Sequence, residues 1–189
     1  IIVFHLGMSG RFRLLKNKKI DNDKHDHFKL FTDNNYSLVF NDPRKFGFID
    51  FDKVHLIMNR NYILKLGKDA LSNNLSSKYL RNKIFKSIVP IKQILLDQTI
   101  ISGIGNIYAS EILFDAKISP FCKGKDLSIN NCDKVIKSTK KILNKAIKAR
   151  GSTLRNYVAA DGTAGNFQKN FKVYNRSGEK ILGKKIFRI

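Results

Sequence analysis

Asp97-Gln98-Thr99-Ile100-Ile101-Ser102-Gly103-Ile104-Gly105-Asn106-Ile107-Tyr108-Ala109-Ser110-Glu111 is the stretch around which the rest of the chain is read. It has the wording of one helix ending, a tight glycine turn, and a second helix starting. Gly103 and Gly105 permit positive φ and close approach of a partner. Asn106 is expected to cap a helix over 107–115. That arrangement leaves backbone N–H groups at a helix N-terminus beside an amide side chain, which suits a phosphate. An ordinary helix hairpin is the alternative for such a turn taken alone. The charge tips the balance: 36 Lys+Arg stand against 15 Asp+Glu, a net +21. Asp97 and Glu111 flank the turn and read as residues that position its backbone rather than as a catalytic carboxylate pair.

Working outward, 189 residues make one medium domain or two small ones, and 42% hydrophobic content supports real cores. The charge calls for a polyanionic partner, nucleic acid first and anionic membrane second. No apolar run approaches the length of a membrane span. The opening Ile1-Ile2-Val3-Phe4-His5 has no basic leader and reads as a strand already under way, so residues are expected before it. Cys122 and Cys132 fit neither a zinc knuckle nor a redox pair and read as two ordinary thiols in a reducing cytosol.

Residues 1–5 are apolar and β-branched, the pattern of a buried strand. A Gly7-Met8-Ser9-Gly10 turn follows, then an extended segment over 11–15 and a charged loop over 16–24. Asp33-Asn34-Asn35 separates two strand-like runs, 28–32 and 36–40, as in a hairpin. Asn41-Asp42-Pro43-Arg44-Lys45-Phe46-Gly47 is a second turn, and 48–51 a further strand. The spacing predicts an antiparallel meander to about residue 51. Beyond 54 it predicts a connector at 65–69, then helices over 76–85, 90–97 and 107–115. A long helix over 132–150 is expected, capped by Asn131 and closed by Gly151. Val135, Thr139, Ile142, Ala146 and Ile147 form its apolar face. Residues 152–167 are rich in glycine and small polar residues and read as a long functional loop. The chain closes on a hairpin over 171–189.

Two of these turns carry residues suited to opening a duplex. Met8 and Phe46 are apolar wedges and Arg44 a cation. A protein that extrudes a base offsets a cost of a few kcal/mol by filling the vacated space. For each residue alone, core packing or turn capping is the alternative. His25-Asp26-His27 lacks a third ligand with metal-site spacing; a histidine donating to phosphate or backbone fits better. His5 reads as a satisfied core histidine, and His55 has no role. Lys92, about one helix before the glycine turn, is either a phosphate contact or one more solvated lysine.

HLGMSG (5–10), KHDH (24–27), NDPRKFG (41–47), IKQILLDQTIISGIGNIYASEILFDAKISP (91–120) and GSTLRNYVAADGTAGNFQKNFKVYNRSGE (151–179) together resemble the formamidopyrimidine-DNA glycosylase family. The glycine turn is similar to its helix–two-turns–helix element, which endonuclease VIII shares. The resemblance implies an α+β protein with an antiparallel β-sandwich over 1–53 and a linker over 54–75. A helix–two-turns–helix domain would cover 76–168 and a C-terminal hairpin 169–189. It implies a repair enzyme that excises oxidised purines from duplex DNA and cleaves the abasic site by β,δ-elimination, acting as a monomer in the bacterial cytoplasm, associated with the nucleoid. It places Met8, Arg44 and Phe46 at the intercalating positions. His25, Arg44, Lys86, Lys92, Asn106 and Tyr108 fall on DNA contacts. Ser152, Thr153, Leu154, Arg155, Gly162 and Gly165 fall in the loop that closes over the everted base.

Two departures accompany the resemblance. The family's nucleophile is an N-terminal proline followed by glutamate, whose amine forms a Schiff base; these and an upstream lysine are not among the 189 residues, so the chain holds no candidate catalytic residue. The family also binds one structural zinc through a four-cysteine finger. Here the first Cys-x-x-Cys position reads Ile181-Leu182-Gly183-Lys184, so no metal is expected. The alternatives are a catalytically silent relative that binds damaged DNA, an endonuclease VIII-like glycosylase for oxidised pyrimidines, and a general RNA-binding basic protein.

Overall fold

The computed structural model describes residues 1–16, 23–152, 165–181 and 183–187. They form two compact units, Ile1–Arg60 with Lys148–Lys169, and Asn61–Ile147 with Asn170–Ile189.

The first unit holds β1 (Ile2–His5), β2 (Arg11–Lys16), β3 (Asp26–Phe31), β4 (Tyr36–Asn41), β5 (Phe48–Phe51) and the short helix α1 (Val54–Met58). All strand pairs here are antiparallel, but the order is not that of a meander. β1 pairs with β5, and a separate sheet runs β2-β4-β3. The β3–β4 hairpin turns through Asn35, at φ 60°. β2 then adds to the far side of β4, in register from Arg11↔Asn41 to Lys16↔Tyr36. β4 is central and carries a run of deeply buried residues, Ser37, Val39, Phe40 and Asn41. The two sheets meet through an aromatic cluster. Phe4 of β1 lies edge-on to Phe12 at 4.9 Å and to Phe28 at 5.6 Å, with Phe40 at 6.1 Å. Edge-to-face pairs of this kind add roughly 0.5–1.5 kcal/mol each beyond burial. β1 is not the buried strand its composition suggested: only its Phe4 side reaches the cluster, and Ile2 is 47% exposed.

The last part of this unit brackets the glycine-rich segment. Ala149 O accepts from Asn166 N and Gly151 O from Phe167 N, both at 2.9 Å, and Ser152 bridges Asn166. Gly165 is required there, since a Cβ would lie 2.3 Å from Gly151 O.

The second unit contains α2 (Asn61–Leu64), β6 (Lys68–Asp69), α3 (Ser77–Ile84), α4 (Ile91–Leu96), β7 (Ile101–Ser102), α5 (Asn106–Asp115), α6 (Ile129–Lys148), β8 (Lys180–Ile181) and β9 (Lys184–Lys185). Ser76 caps α3 by accepting from Tyr79 N. α6 starts earlier than expected, because Ser128, not Asn131, is the cap: its Oγ accepts from Asn131 N at 3.2 Å. α6 buries Cys132, Val135, Ile136, Thr139, Ile142 and Ala146, but Ile147 is 61% exposed and leaves the expected stripe. The helix ends in two left-handed residues, Arg150 at φ 57° and Gly151 at φ 77°. Asp115 ties α5 to α6, accepting from Ser138 Oγ at 2.8 Å and Lys141 Nζ at 2.6 Å. Among the described residues no helix is long and apolar enough to cross a membrane.

Candidate nucleic-acid interface

The first unit assembles Met8, Arg44 and Phe46 around one carboxylate. Asp42 is 1% exposed. Its Oδ1 accepts from Ser9 Oγ at 2.5 Å and Arg44 N at 3.3 Å, and its Oδ2 from Gly47 N at 2.8 Å. Ser9 belongs to the Gly-Met-Ser-Gly turn, and Arg44 and Gly47 to the Pro-Arg-Lys-Phe-Gly turn. A single buried side chain therefore locks two turns that lie 33 residues apart in the chain. The result is one exposed constellation. Arg44 lies 3.7 Å from Met8 Sδ and 4.7 Å above the Phe46 ring. Met8 is 76% and Phe46 55% exposed, so neither is core filler. A cation on an aromatic face beside a thioether is a preassembled plug of mixed polarity. The Ser9 hydroxyl bond is the largest influence holding the Asp42 carboxyl below its ordinary pKa; burial pushes the other way, and the Gly47 and Arg44 amides add to the lowering.

The close packing of these turns leaves no room for a side chain at position 47. A Cβ on Gly47 would fall 2.6 Å from His5 O and 2.7 Å from the Phe40 ring. His5 is exposed rather than a core histidine. Its ring stacks on Phe48 at 5.2 Å and its Nδ1 accepts from Gly7 N, so it shapes the Met8 turn. In the histidine cluster, Asp26 is occupied by Arg13 at 2.6 Å and Asn41 at 2.8 Å. His27 Nε2 donates to Asp42 O at 2.9 Å. His25, half-buried, accepts at its carbonyl from Asp42 N.

The second unit builds the glycine turn with a residue the sequence reading passed over. Gln98 spans the turn with both ends of its amide: Oε1 accepts from Gly103 N at 2.9 Å, and Nε2 donates to Ile104 O at 2.9 Å and Leu96 O at 3.1 Å. The signal was available as an amide side chain five residues before a glycine, but that pattern is common. Asp97 holds Thr99 through N at 2.9 Å and Oγ1 at 2.7 Å, and Tyr79 donates to Ile100 O at 2.9 Å. β6 runs parallel to β7. Gly67 N donates to Gln98 O, and a Cβ at Gly67 would meet Ile100 O at 2.3 Å.

Gly103 takes positive φ, 94°. Gly105 does not: it is the extended N-cap of α5, at φ −107° and ψ 177°, with no side chain to cap the helix. Asn106 is therefore the first helical residue, not the cap. Gly103, Gly105 and Asn106 are all exposed, so the positive end of a ten-residue helix opens at the surface. Lys92 is half-buried near the start of α4, which packs on α5, and Tyr108 is half-buried in the first turn of α5. Lys86 is exposed, its Nζ 5.3 Å from the Phe85 ring. Glu111 does not hold the glycine turn; its carboxylate faces the C-terminal segment. Ser152 and Gly165 flank the loop segment, while Thr153, Leu154, Arg155 and Gly162 lie outside the described residues.

The donor set does not fit a zinc ion. At the C-terminal hairpin the side chains offered are lysines and Ile181, not thiolates. Cys132 is buried on α6, where burial raises its thiol pKa. Among the described residues no three metal-ligating side chains come together.

Comparison with known proteins finds one family in both parts of the chain. Residues 1–49 match the formamidopyrimidine-DNA glycosylase N-terminal domain and 66–158 the formamidopyrimidine-DNA glycosylase H2TH domain. The chain is 43% identical to a formamidopyrimidine-DNA glycosylase of Zymomonas mobilis over 95% of its length, and 41% identical to one of Rickettsia bellii over 96%. It spans 65% and 66% of those relatives. Lactococcus lactis Fpg bound to DNA containing an abasic site superposes on the whole chain with a TM-score of 0.89 at 34% identity, with 69% of the bacterial enzyme covered. The same values hold for an L. lactis mutant bound to DNA containing Fapy-dG. With both family domains matched in order over residues 1–49 and 66–158, the chain belongs to the formamidopyrimidine-DNA glycosylase family.

Proposed function

We propose that this chain is the damage-recognising part of a base-excision DNA glycosylase and abasic-site lyase acting on oxidised purines in duplex DNA. The observation that carries the reading is the Met8–Arg44–Phe46 plug, exposed and fixed by the buried Asp42. Three side chains held in one place and left uncovered are of little use to folding but suit the gap left by an extruded base. The uncapped start of α5 at Gly105-Asn106 supplies a phosphate site. His25, Lys86, Lys92 and Tyr108 are assigned as further DNA contacts, and 152–167 as the loop over the everted base. We carry the functional division as 1–53, 54–75, 76–168 and 169–189. These residues supply recognition; the amine nucleophile of the family is not among them. A DNA substrate places the protein with the bacterial chromosome, in the cytoplasm.

The test is competition binding at physiological salt between a duplex with a tetrahydrofuran abasic analogue and the same duplex undamaged. The expected result is a clear preference for the abasic duplex, lost in Met8→Ala and Phe46→Ala. Equal affinity for both duplexes in the unsubstituted, folded chain refutes the reading and favours a general nucleic-acid binder. Borohydride trapping on an oxidised duplex is expected to yield no covalent adduct with these 189 residues.

A further inference from the structure

We propose that the C-terminal segment is fastened to α5 by the Glu111 carboxylate instead of by a metal, which makes Glu111 a positioning residue for the hairpin lysines. The family implies a zinc at this end, and the donor set here does not fit one. The described residues of this segment are held to α5 in another way. Glu111 is 2% exposed, and a buried carboxylate persists only if its oxygens are satisfied. Three successive backbone amides do this. Lys172 N donates to Oε2 at 2.9 Å, and Val173 N and Tyr174 N to Oε1 at 2.9 and 2.8 Å. Consecutive N–H groups converging on an anion form a nest, and bonds to a charged acceptor are the strong kind.

The rest of the segment is built on that anchor. Phe171 is buried and lies edge-on to Tyr174 at 5.6 Å. Arg176 folds back, its Nη1 donating to Phe171 O at 3.3 Å and its guanidinium pairing with Glu179 at 2.6 Å. Gly178 N donates to Ile186 O and Ile186 N to Glu179 O, closing the hairpin in which Lys180 pairs with Lys185. Lys180, Lys184 and Lys185 stand exposed. Glu111 lies five residues beyond Asn106, about 7.5 Å along the helix axis. One helix thus carries the phosphate site at its tip and the hairpin anchor on its second turn.

The experiment is hydrogen exchange of the DNA-free chain, with metal content measured on the same sample. Glu111→Ala is expected to speed exchange at 172–174 by about tenfold or more while β4 amides keep their protection. Glu111→Gln preserves the shape and one carbonyl oxygen, and is expected to fall between. It is the decisive variant if the alanine substitution unfolds the unit. Zinc is expected to be substoichiometric, and a chelator to leave 172–174 unchanged. Protected 172–174 amides in both variants, or stoichiometric zinc whose removal releases them, overturns the proposal. These readouts do not depend on DNA, so their failure is separate from failure of the function proposed above. A second arm rests on that function: Glu111→Gln and the pair Lys184→Ala/Lys185→Ala are each expected to weaken duplex binding, and together by no more than the larger alone. Full additivity would count against positioning.

Discussion

Replacing Asp42 tests whether one buried carboxylate builds the recognition plug. Asp42→Ala removes the acceptor of two short bonds, from Ser9 Oγ at 2.5 Å and Gly47 N at 2.8 Å, and of a longer one from Arg44 N. Hydrogen bonds to charged groups contribute about 1.5–3 kcal/mol each. Ser9 and Gly47 are only half-buried, so water partly replaces the lost partner and the lower value applies. The two short bonds then sum to about 3 kcal/mol of lost stability. Asp42→Asn retains one oxygen acceptor and is expected to lose about half as much. The assay is urea unfolding followed by circular dichroism, paired with the abasic-duplex competition under conditions where the variant stays folded. Preference for the abasic duplex is expected to fall with Asp42→Ala although Asp42 itself is buried, because Met8, Arg44 and Phe46 lose their common anchor. The pH dependence has a fixed sign. The folded carboxyl titrates below its unfolded value of about 3.9. Its contribution is therefore complete above that value and is lost as pH falls through the folded pKa. The gap between wild type and Asp42→Asn is expected to be constant from pH 7 to about pH 5 and to close below about pH 4. A stability loss under about 0.5 kcal/mol with unchanged duplex preference would refute the reasoning.

Three further outcomes follow from the same geometry. Gln98→Ala removes both ends of the clamp across the glycine turn and is expected to cost about 1–3 kcal/mol in urea unfolding. It is also expected to weaken binding to damaged and undamaged duplex alike, since it disturbs a phosphate site rather than the wedge. Gly67→Ala places a methyl 2.3 Å from Ile100 O and is expected to destabilise the second unit, whereas Gly105→Ala, with open space around its Cβ and an ordinary negative φ, is expected to change stability by less than about 1 kcal/mol in the same assay. Duplex affinity is expected to fall steeply on raising salt from 50 to 200 mM, as phosphate neutralisation requires; Lys92→Ala is expected to reduce the slope of log K against log salt by about one contact, and an unchanged slope removes Lys92 from the interface.

Much of this protein was legible in its sequence because the relevant constraints are local. Alternation and turn residues placed β2 to β5, and Pro43 and Gly47 marked the second turn. The apolar period of α6 and the glycine turn before α5 follow from neighbours within a few residues. The charge excess and the long motif from 91 to 120 carried the family. Met8, Arg44 and Phe46 could be singled out because each sits in a turn whose wording is distinctive; that they meet in one exposed cluster came from the fold.

Tertiary structure decided what depends on distance through space. Strand order was one such matter: alternation says which face of β2 is apolar but not that it pairs with β4 rather than β3. Exposure was another, since Ile2, His5 and Ile147 have core-like neighbours in sequence but are exposed among the described residues. Capping turned on small shifts, three residues from Asn131 to Ser128 and one from Asn106 to Gly105, which neighbouring cap-forming residues leave undetermined. The largest gap concerned polar groups that bind backbone. Nothing local distinguishes the buried Asp42 and Glu111, or the exposed Gln98, from any solvated side chain, because each acquires its role from backbone groups brought to it by folding. Asp42 draws on a turn 33 residues away and Glu111 on amides more than 60 residues away. A carboxylate is stabilising in the interior only when such donors converge on it, and convergence is a property of the folded chain.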